Sequence, residues 1–323
     1  MLAAEYDTRG PRAGELRVAE VETPEPGPGE VLVRVRVSGV NPTDFKSRDR
    51  LDGSSPWDTV TPDQDGAGEV EAVGEGVDPA RLGERVWTFH SQWQRRRGSA
   101  AQYLALPAEQ AVRLPDGVAL DQGAGLGIPY ITAHRLLHAD GPLDGLSVLV
   151  QGGAGAVGHA AIELARFGGA RVAATVSGPE KGELASAAGA ELVVNYREQD
   201  VAQAVGSWAP DGVHRIAEVD LARNLATDAA VVAPGGVIAG YVETGEPVLP
   251  TGALMAKNAI VRLVLVYTTP AEAQHAAVAE ITRALEAGAL QPLPVHRFAL
   301  ADIAAAHDAV REGAVGKVLV DIP

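Results

Sequence analysis

The chain has no cysteine. That removes disulfides, a thiol nucleophile and thiolate metal ligands together. Lysine is almost as scarce: Lys46, Lys181, Lys257 and Lys317 are the only ones, and arginine carries the remaining positive charge. Basic residues are outnumbered, 27 Lys and Arg against 42 Asp and Glu, for a net charge of −15. Nucleic-acid binding needs a basic face, so this balance opposes it. The single basic run, Arg95-Arg96-Arg97, reads as a solvated loop. Long apolar runs are missing as well, so no membrane span is expected. The N-terminus, MLAAEYDTRGPRAGEL, has early acids and no apolar signal core. A cytoplasmic protein is the expectation. At 323 residues, two domains are expected, or one core with a large addition.

What is present is concentrated between residues 147 and 177, SVLVQGGAGAVGHAAIELARFGGARVAATVS. An apolar run at 148–150 leads into Gly153-x-Gly155-x-x-Gly158. A helical stretch follows to residue 167, then Gly168-Gly169 and a second apolar run at 171–176. Strand, glycine-rich turn, helix and strand form the context that makes this spacing a dinucleotide-binding fingerprint. The first glycine permits the tight turn, the second lets backbone approach a pyrophosphate, and the third lets helix and strand pack closely. The helix N-terminus adds free N–H groups and the positive end of its dipole.

The end of the second strand distinguishes the two nicotinamide cofactors. NAD sites usually carry a carboxylate there for the ribose 2′-OH. This strand ends in Thr175-Val176-Ser177, and Lys181 follows in SGPEK. A hydroxyl and a cation suit a 2′-phosphate, so NADPH is expected. Glu180 counts slightly against this. Ser177 also fits a helix N-cap with Pro179 in the first turn, and Lys181 also fits a solvated helix charge.

Residues 1–120 differ from the middle of the chain. Short apolar runs at 16–21, 31–40, 68–73, 85–88 and 101–106 are punctuated by Pro, Gly and Asp clusters, a mostly β, barrel-like pattern. After IPYITAHRLL, strands expected at 148–150, 171–175, 191–195, 215–219, 237–241 and 260–267 alternate with helices at 156–167, 179–188, 200–208 and 225–232. Such alternation predicts a doubly wound parallel sheet. A helix at 271–287, a strand at 295–298, a helix at 301–311 and a strand at 317–322 close the chain.

These stretches resemble the medium-chain dehydrogenase/reductase superfamily, in its zinc-free, zeta-crystallin-like quinone oxidoreductase branch. The resemblance runs through PGPGEVLVRVRVSGVNPTD, DQDGAGEVEAVGEGV, LGERVW, AAQYLALPA, GAGLGIPYITAHRLL, VLVQGGAGAVGHAAIELAR, MAKNAIVRLVLVY and GKVLV. It implies an α/β fold: a GroES-like mostly β catalytic domain over 1–120, a Rossmann NADPH-binding domain over 121–266, and a C-terminal return to the first domain over 267–323. It also implies a ligand cleft between the domains. Position by position, it assigns Gly153, Ala154, Gly155, Ala156, Val157 and Gly158 to the phosphate loop. Ser177, Lys181 and Tyr196 fall at the 2′-phosphate end, and Asn224 at a polar cofactor contact. Tyr241, Val264, Leu265 and Val266 fall beside the nicotinamide. Read without the resemblance, Tyr196 is a half-buried aromatic at a strand end.

Zinc-dependent relatives place Cys where this chain has Asn41, and His-Glu where it has Gln64-Asp65. Amides are poor zinc ligands beside thiolate and imidazole. The eight histidines, His90, His134, His138 and His159 among them, are read as forming no chelating motif, so no metal is expected. Without one, the chemistry suits conjugated acceptors that spread the incoming charge, namely quinones or α,β-unsaturated ketones, aldehydes and thioesters. Asn41 and Lys46 are the candidate donors to the developing oxyanion, and Tyr130 or solvent the candidate proton source. Each has a plain alternative: Asn41 as a turn residue before Pro42, Lys46 as a surface charge, Tyr130 as packing. Lys46 stands where the family usually has an aromatic residue. The functional readings are a quinone reductase, an ene-reductase, and an NADPH-binding protein with little turnover. The apolar run RLVLVY is expected to form an edge strand that pairs across a homodimer.

Overall fold

A computed structural model describes residues 1–323 and contains two compact units, Met1–Ile128 with Pro292–Pro323, and Pro129–Gln291. The chain opens with β1 (Leu2–Asp7) and β2 (Arg17–Glu20), then the long β3 (Glu30–Val40) and helix α1 (Pro42–Asp49). Next come β4 (Thr59–Val60), β5 (Asp65–Val73), β6 (Arg85–Thr88), β7 (Tyr103–Pro107) and β8 (Ala111–Arg113). Two helices follow, α2 (Leu120–Gly123) and α3 (Gly127–His138). The second unit alternates β9 (Ser147–Val150), α4 (Ala156–Phe167), β10 (Arg171–Val176), α5 (Pro179–Ala187), β11 (Leu192–Asn195), α6 (Val201–Trp208) and β12 (Val213–Glu218). It continues with α7 (Leu221–Val231), β13 (Val232–Gly240), α8 (Thr251–Ala256), β14 (Ile260–Leu263) and α9 (Ala271–Glu286). β15 (Val295–Ala299), α10 (Ile303–Arg311) and β16 (Lys317–Asp321) return to the first unit.

In the first unit a seven-stranded sheet has the order β15-β16-β3-β5-β6-β8, with β7 also on β3. A second sheet has the order β2-β1-β4. Alternation along β3 sends Val31, Val33 and Val35 into a core with Leu104, Leu106, Val318, Val320 and Ile303. The last strand is therefore part of the first core: β16 runs antiparallel to β3, with Val320 opposite Ser38 and Val318 opposite Val40. That register sets Lys317 at the end of β3 that leads into Asn41.

The second unit is a six-stranded parallel sheet, order β11-β10-β9-β12-β13-β14. Its strands are near-continuous apolar runs, as sheets covered on both faces require. Leu149, Ala173, Ile216 and Ile238 pack against Leu221 and Leu225 of α7.

Several expectations need correction. The strand expected over 260–267 stops at Leu263, and a 3-10 turn, Val266–Thr268, follows. The N-terminal strand β1 and the helix α1 do not stand out in the apolar pattern. The units divide at Ile128 and Gln291, inside α3 and after α9, rather than near 120 and 266. The physical reason for the second boundary is that α9 packs on α4, and the Gln291 N–H donates to buried Glu163 on α4 at 2.6 Å. No helix is long and apolar enough to cross a membrane.

Candidate functional site

The glycine loop joins β9 to α4, and each glycine has a separate reason. A Cβ on Gly158 would lie 2.2 Å from the Gly152 carbonyl oxygen, so helix and turn could not pack as they do. On Gly153 it would meet Ala174 Cβ at 2.8 Å and Ile162 Cδ1 at 3.0 Å. Gly155 differs: it is exposed, caps α4, and has nothing nearer than 3.5 Å. The middle glycine thus keeps backbone open to an incoming group, and the outer two serve packing. Ala154 is buried, while Ala156 and Val157 in the first turn of α4 are half-buried.

Beneath the loop runs a buried polar chain that the glycine pattern does not reveal. Gly152 N–H donates to Thr175 Oγ1 (3.1 Å), Thr175 Oγ1 to Gln151 Oε1 (2.7 Å), and Gln151 Nε2 to Asp228 Oδ1 (2.9 Å). Asp228 is buried beside Glu218, and burial followed by that neighbouring charge pushes its carboxyl well above the usual range. Glu218 Oε1 accepts from Asn224 Nδ2 at 2.9 Å and from Asp220 N–H. Asn224 is thereby anchored on the first turns of α7. Tyr241 follows β13, with its N–H on the Glu218 carbonyl at 3.3 Å. Burial and the Glu218 charge raise its phenol.

At the far end of β10, Gly178 and not Ser177 is the N-cap of α5, and no side chain caps this helix. The N-cap reading of Ser177 is therefore corrected. Ser177 and Lys181 are half-buried, and Tyr196 is 51% exposed rather than half-buried. Parallel pairing of β10 with β11 brings Tyr196 beside them, its N–H on the Val176 carbonyl at 3.1 Å. Ser177, Lys181 and Tyr196 form one open corner without a carboxylate at the strand end. Past β14, Val264 N–H donates to the Gly240 carbonyl (2.8 Å), Leu265 is 55% exposed and Val266 is buried.

In the first unit, Asn41, Asp44, Asp63, Asp65, His307 and Lys317 are all buried. Lys317 Nζ donates to Asn41 Oδ1 at 2.7 Å and lies 3.6 Å from Asp65 Oδ2. Asn41 Nδ2 donates to Asp65 Oδ2 (2.7 Å) and to the Gly39 carbonyl (3.3 Å). Asp65 Oδ1 accepts the Ile128 N–H at 2.9 Å, and Asp44 Oδ2 accepts the Asn41 N–H at 2.6 Å. Asp63 holds a left-handed φ of 75° and joins Ser38 (2.9 Å) to His307 Nε2 (2.9 Å). Burial lifts Asp65 to about 6 against the pull of Lys317, and lifts Asp44 well above its usual range. Burial also lowers the Lys317 ammonium.

The three candidate catalytic residues are committed to different degrees. Both amide hydrogens of Asn41 go to Asp65 and Gly39, so it is held within this network. Tyr130 is buried in the second unit, and its hydroxyl donates to Glu163 Oε2 at 2.6 Å. Burial and then the Glu163 charge push that phenol well above 10, so it keeps its proton, pointed at Glu163. Lys46 is half-buried on α1, a short helix whose neighbouring Phe45 lies under the Arg311 guanidinium at 5.1 Å. The donor set around Asn41 and Asp65 has no thiolate, and its one imidazole faces Asp63. The cation at its centre is an ammonium, so these residues do not fit a zinc ion.

Removing that ammonium leaves buried carboxylates uncompensated. Lys317→Met is expected to destabilise the protein by about 3–5 kcal/mol at pH 8. Asp65 holds its proton more tightly folded than unfolded, so its contribution is favourable below its ordinary value of 3.8 and is lost as pH rises through about 6. The deficit of the variant should therefore shrink from pH 8 to pH 5, as read by urea unfolding; an equal deficit at both pH values would show that the charge is not the cause.

Two family models match the chain: the alcohol dehydrogenase GroES-like domain over residues 27–116 and the zinc-binding dehydrogenase domain over 156–283. Human quinone oxidoreductase is 32% identical over 322 residues, covering 98% of this chain and 95% of that protein. Among solved structures, the quinone oxidoreductase of Pseudomonas syringae superposes with a TM-score of 0.85 at 27% identity, covering 100% of this chain and 99% of that one. A mycobacterial protein solved in complex with NADPH gives 0.82 at 29%, covering 99% and 100%. With the glycine loop, the parallel sheet and the GroES-like unit in place, the chain belongs to the quinone oxidoreductase branch of the medium-chain dehydrogenase/reductase superfamily.

Proposed function

We propose that this oxidoreductase uses NADPH, without zinc, to reduce a quinone, and that Lys46 stabilises the negative charge developing on the acceptor oxygen. The observation that carries the cofactor reading is the open corner of Ser177, Lys181 and Tyr196 at the end of a strand that lacks the usual carboxylate. The bound NADPH complex of the mycobacterial relative supports it. When bound, the cofactor supplies a hydride to a conjugated acceptor.

The chain's own residues supply the rest. The backbone from Gly153 to Gly158 and the N-terminus of α4 receive the pyrophosphate. Ser177 and Lys181 meet the 2′-phosphate, and Tyr196 flanks the adenine. Asn224, Tyr241 and residues 264–266 line the nicotinamide side. Asn41 serves by position, since its donors are used within the Lys317 network. Tyr130 likewise serves by packing and by its bond to Glu163, which leaves solvent as the proton source. Lys46 has no such commitment, and a mobile ammonium suits a quinone oxygen. The same ammonium suits an enone or enoyl thioester, so an ene-reductase is the second reading.

NADPH and NADH oxidation at 340 nm, with 9,10-phenanthrenequinone, methyl vinyl ketone and crotonyl-CoA, tests both readings. Turnover is expected with NADPH and the quinone. Lys181→Ala should lower the NADPH preference by about tenfold or more, from loss of one charge-assisted contact, and Lys46→Met should lower kcat by about 100-fold, as loss of an oxyanion donor does. Preference for the enone or thioester would favour the ene-reductase, and NADPH binding without turnover would favour the non-catalytic reading.

We also propose a homodimer through β14. This is the edge strand of the parallel sheet, and Ile260, Val261 and Leu263 are 43%, 37% and 77% exposed. An exposed apolar edge invites pairing with another chain. Light scattering at micromolar concentration should give twice the 33.4 kDa chain mass; a monomer would refute it.

A further inference from the structure

His134 and His138 lie one turn apart on α3, with spacing H-x-x-x-H, and both face Glu280 on α9. This corrects the reading that the histidines form no chelating motif; the spacing is plain in HRLLH. All three residues belong to the second unit. They are separate from the glycine loop and from the cofactor positions proposed above.

The geometry is that of an incomplete coordination shell. His134 Nε2 lies 3.5 Å from Glu280 Oε2, and His138 Nε2 lies 3.2 Å from Glu280 Oε1. The three donor atoms lie within 4.8 Å of one another. Tetrahedral bonds of about 2.0–2.2 Å put neighbouring ligand atoms roughly 3.4 Å apart, close to both observed separations. The two imidazole rings stack at 4.5 Å with 18° between planes, which directs both Nε2 atoms to the same carboxylate. The Nε2 of His138 is buried, and Glu280 is the polar group it faces.

Glu280 supplies the carboxylate and the two histidines the imidazoles, so all three donors of a mixed nitrogen and oxygen site face one another. The one other charge that reaches Glu280 is Arg283, 3.8 Å away and 68% exposed, which is free to swing into solvent.

We propose that His134, His138 and Glu280 bind a divalent transition-metal ion of the zinc class, which fastens α3 to α9. Two imidazoles and a carboxylate are a recognised zinc donor set that leaves a fourth position for water. Bound there, the ion joins helices at the two ends of the second unit's sequence and stabilises the folded unit by mass action. It has no part in hydride transfer.

The test uses tag-free, chelator-stripped full-length protein titrated with Zn2+ by calorimetry and with Co2+ by visible absorption. One equivalent is expected to bind, with a rise in Tm and a Co2+ spectrum typical of four-coordinate nitrogen and oxygen ligands. His138→Ala and Glu280→Gln should each weaken binding by about 100-fold, at least as much as loss of supporting contacts does, while NADPH affinity stays unchanged. The unchanged NADPH affinity shows that each variant is folded. If either variant is unfolded, loss of the Co2+ spectrum in His134→Gln serves the same purpose. Absence of stoichiometric binding to the wild type, or undiminished binding in the variants, would overturn the proposal.

Discussion

A single buried ammonium organises the first unit. Lys317 stands among Asp65, Asp44 and Asp63, and without it three carboxyl groups would share one desolvated volume. Its placement depends on the last strand reaching the first core, because β16 must pair with β3 to bring the ammonium to Asn41. The network in turn ties the end of β3, the start of α1 and the start of β5 to the N–H of Ile128. At this point the chain gathers these elements with a cation of its own.

The second unit is built around a different constraint, the close approach of backbone at the glycine loop. Gly158 packs against Gly152, and Gly152 is fixed from below by Thr175, Gln151 and Asp228. The loop is thus supported by side chains just after β9, on β10 and on α7. Gly155 is its exposed residue; its own N–H is turned back to the Gly152 carbonyl at 3.0 Å, and it has no side chain to cover the start of α4. A loop held this way, in the pyrophosphate-binding role proposed for it, loses little entropy on binding.

The sequence made the second unit's plan legible because its signals are local. Helical periodicity over 156–167 coincides with α4, and the apolar run at 171–176 coincides with β10. The loop glycines were readable for the same reason. What could not be read depends on pairings distant in sequence. Lys317 looks like an ordinary terminal lysine until β16 pairs with β3. Asn41 and Tyr130 are candidate donors until Asp65 and Glu163 take their hydrogens. The run at 260–267 is apolar throughout, but the chain turns after Leu263 as Val264 bonds back to Gly240. HRLLH was a local signal, yet its meaning depends on Glu280, contributed by a helix near the far end of the unit.

The proposed reduction needs no metal, because the Lys317 ammonium already holds the buried carboxylates of the first unit together. The most direct measurement is NADPH oxidation with 9,10-phenanthrenequinone by protein whose metal content has been reduced by chelation and verified by elemental analysis. The account predicts the same kcat before and after chelation, at a temperature where the stripped protein remains folded. Loss of activity on chelation, restored by one equivalent of zinc, would contradict it.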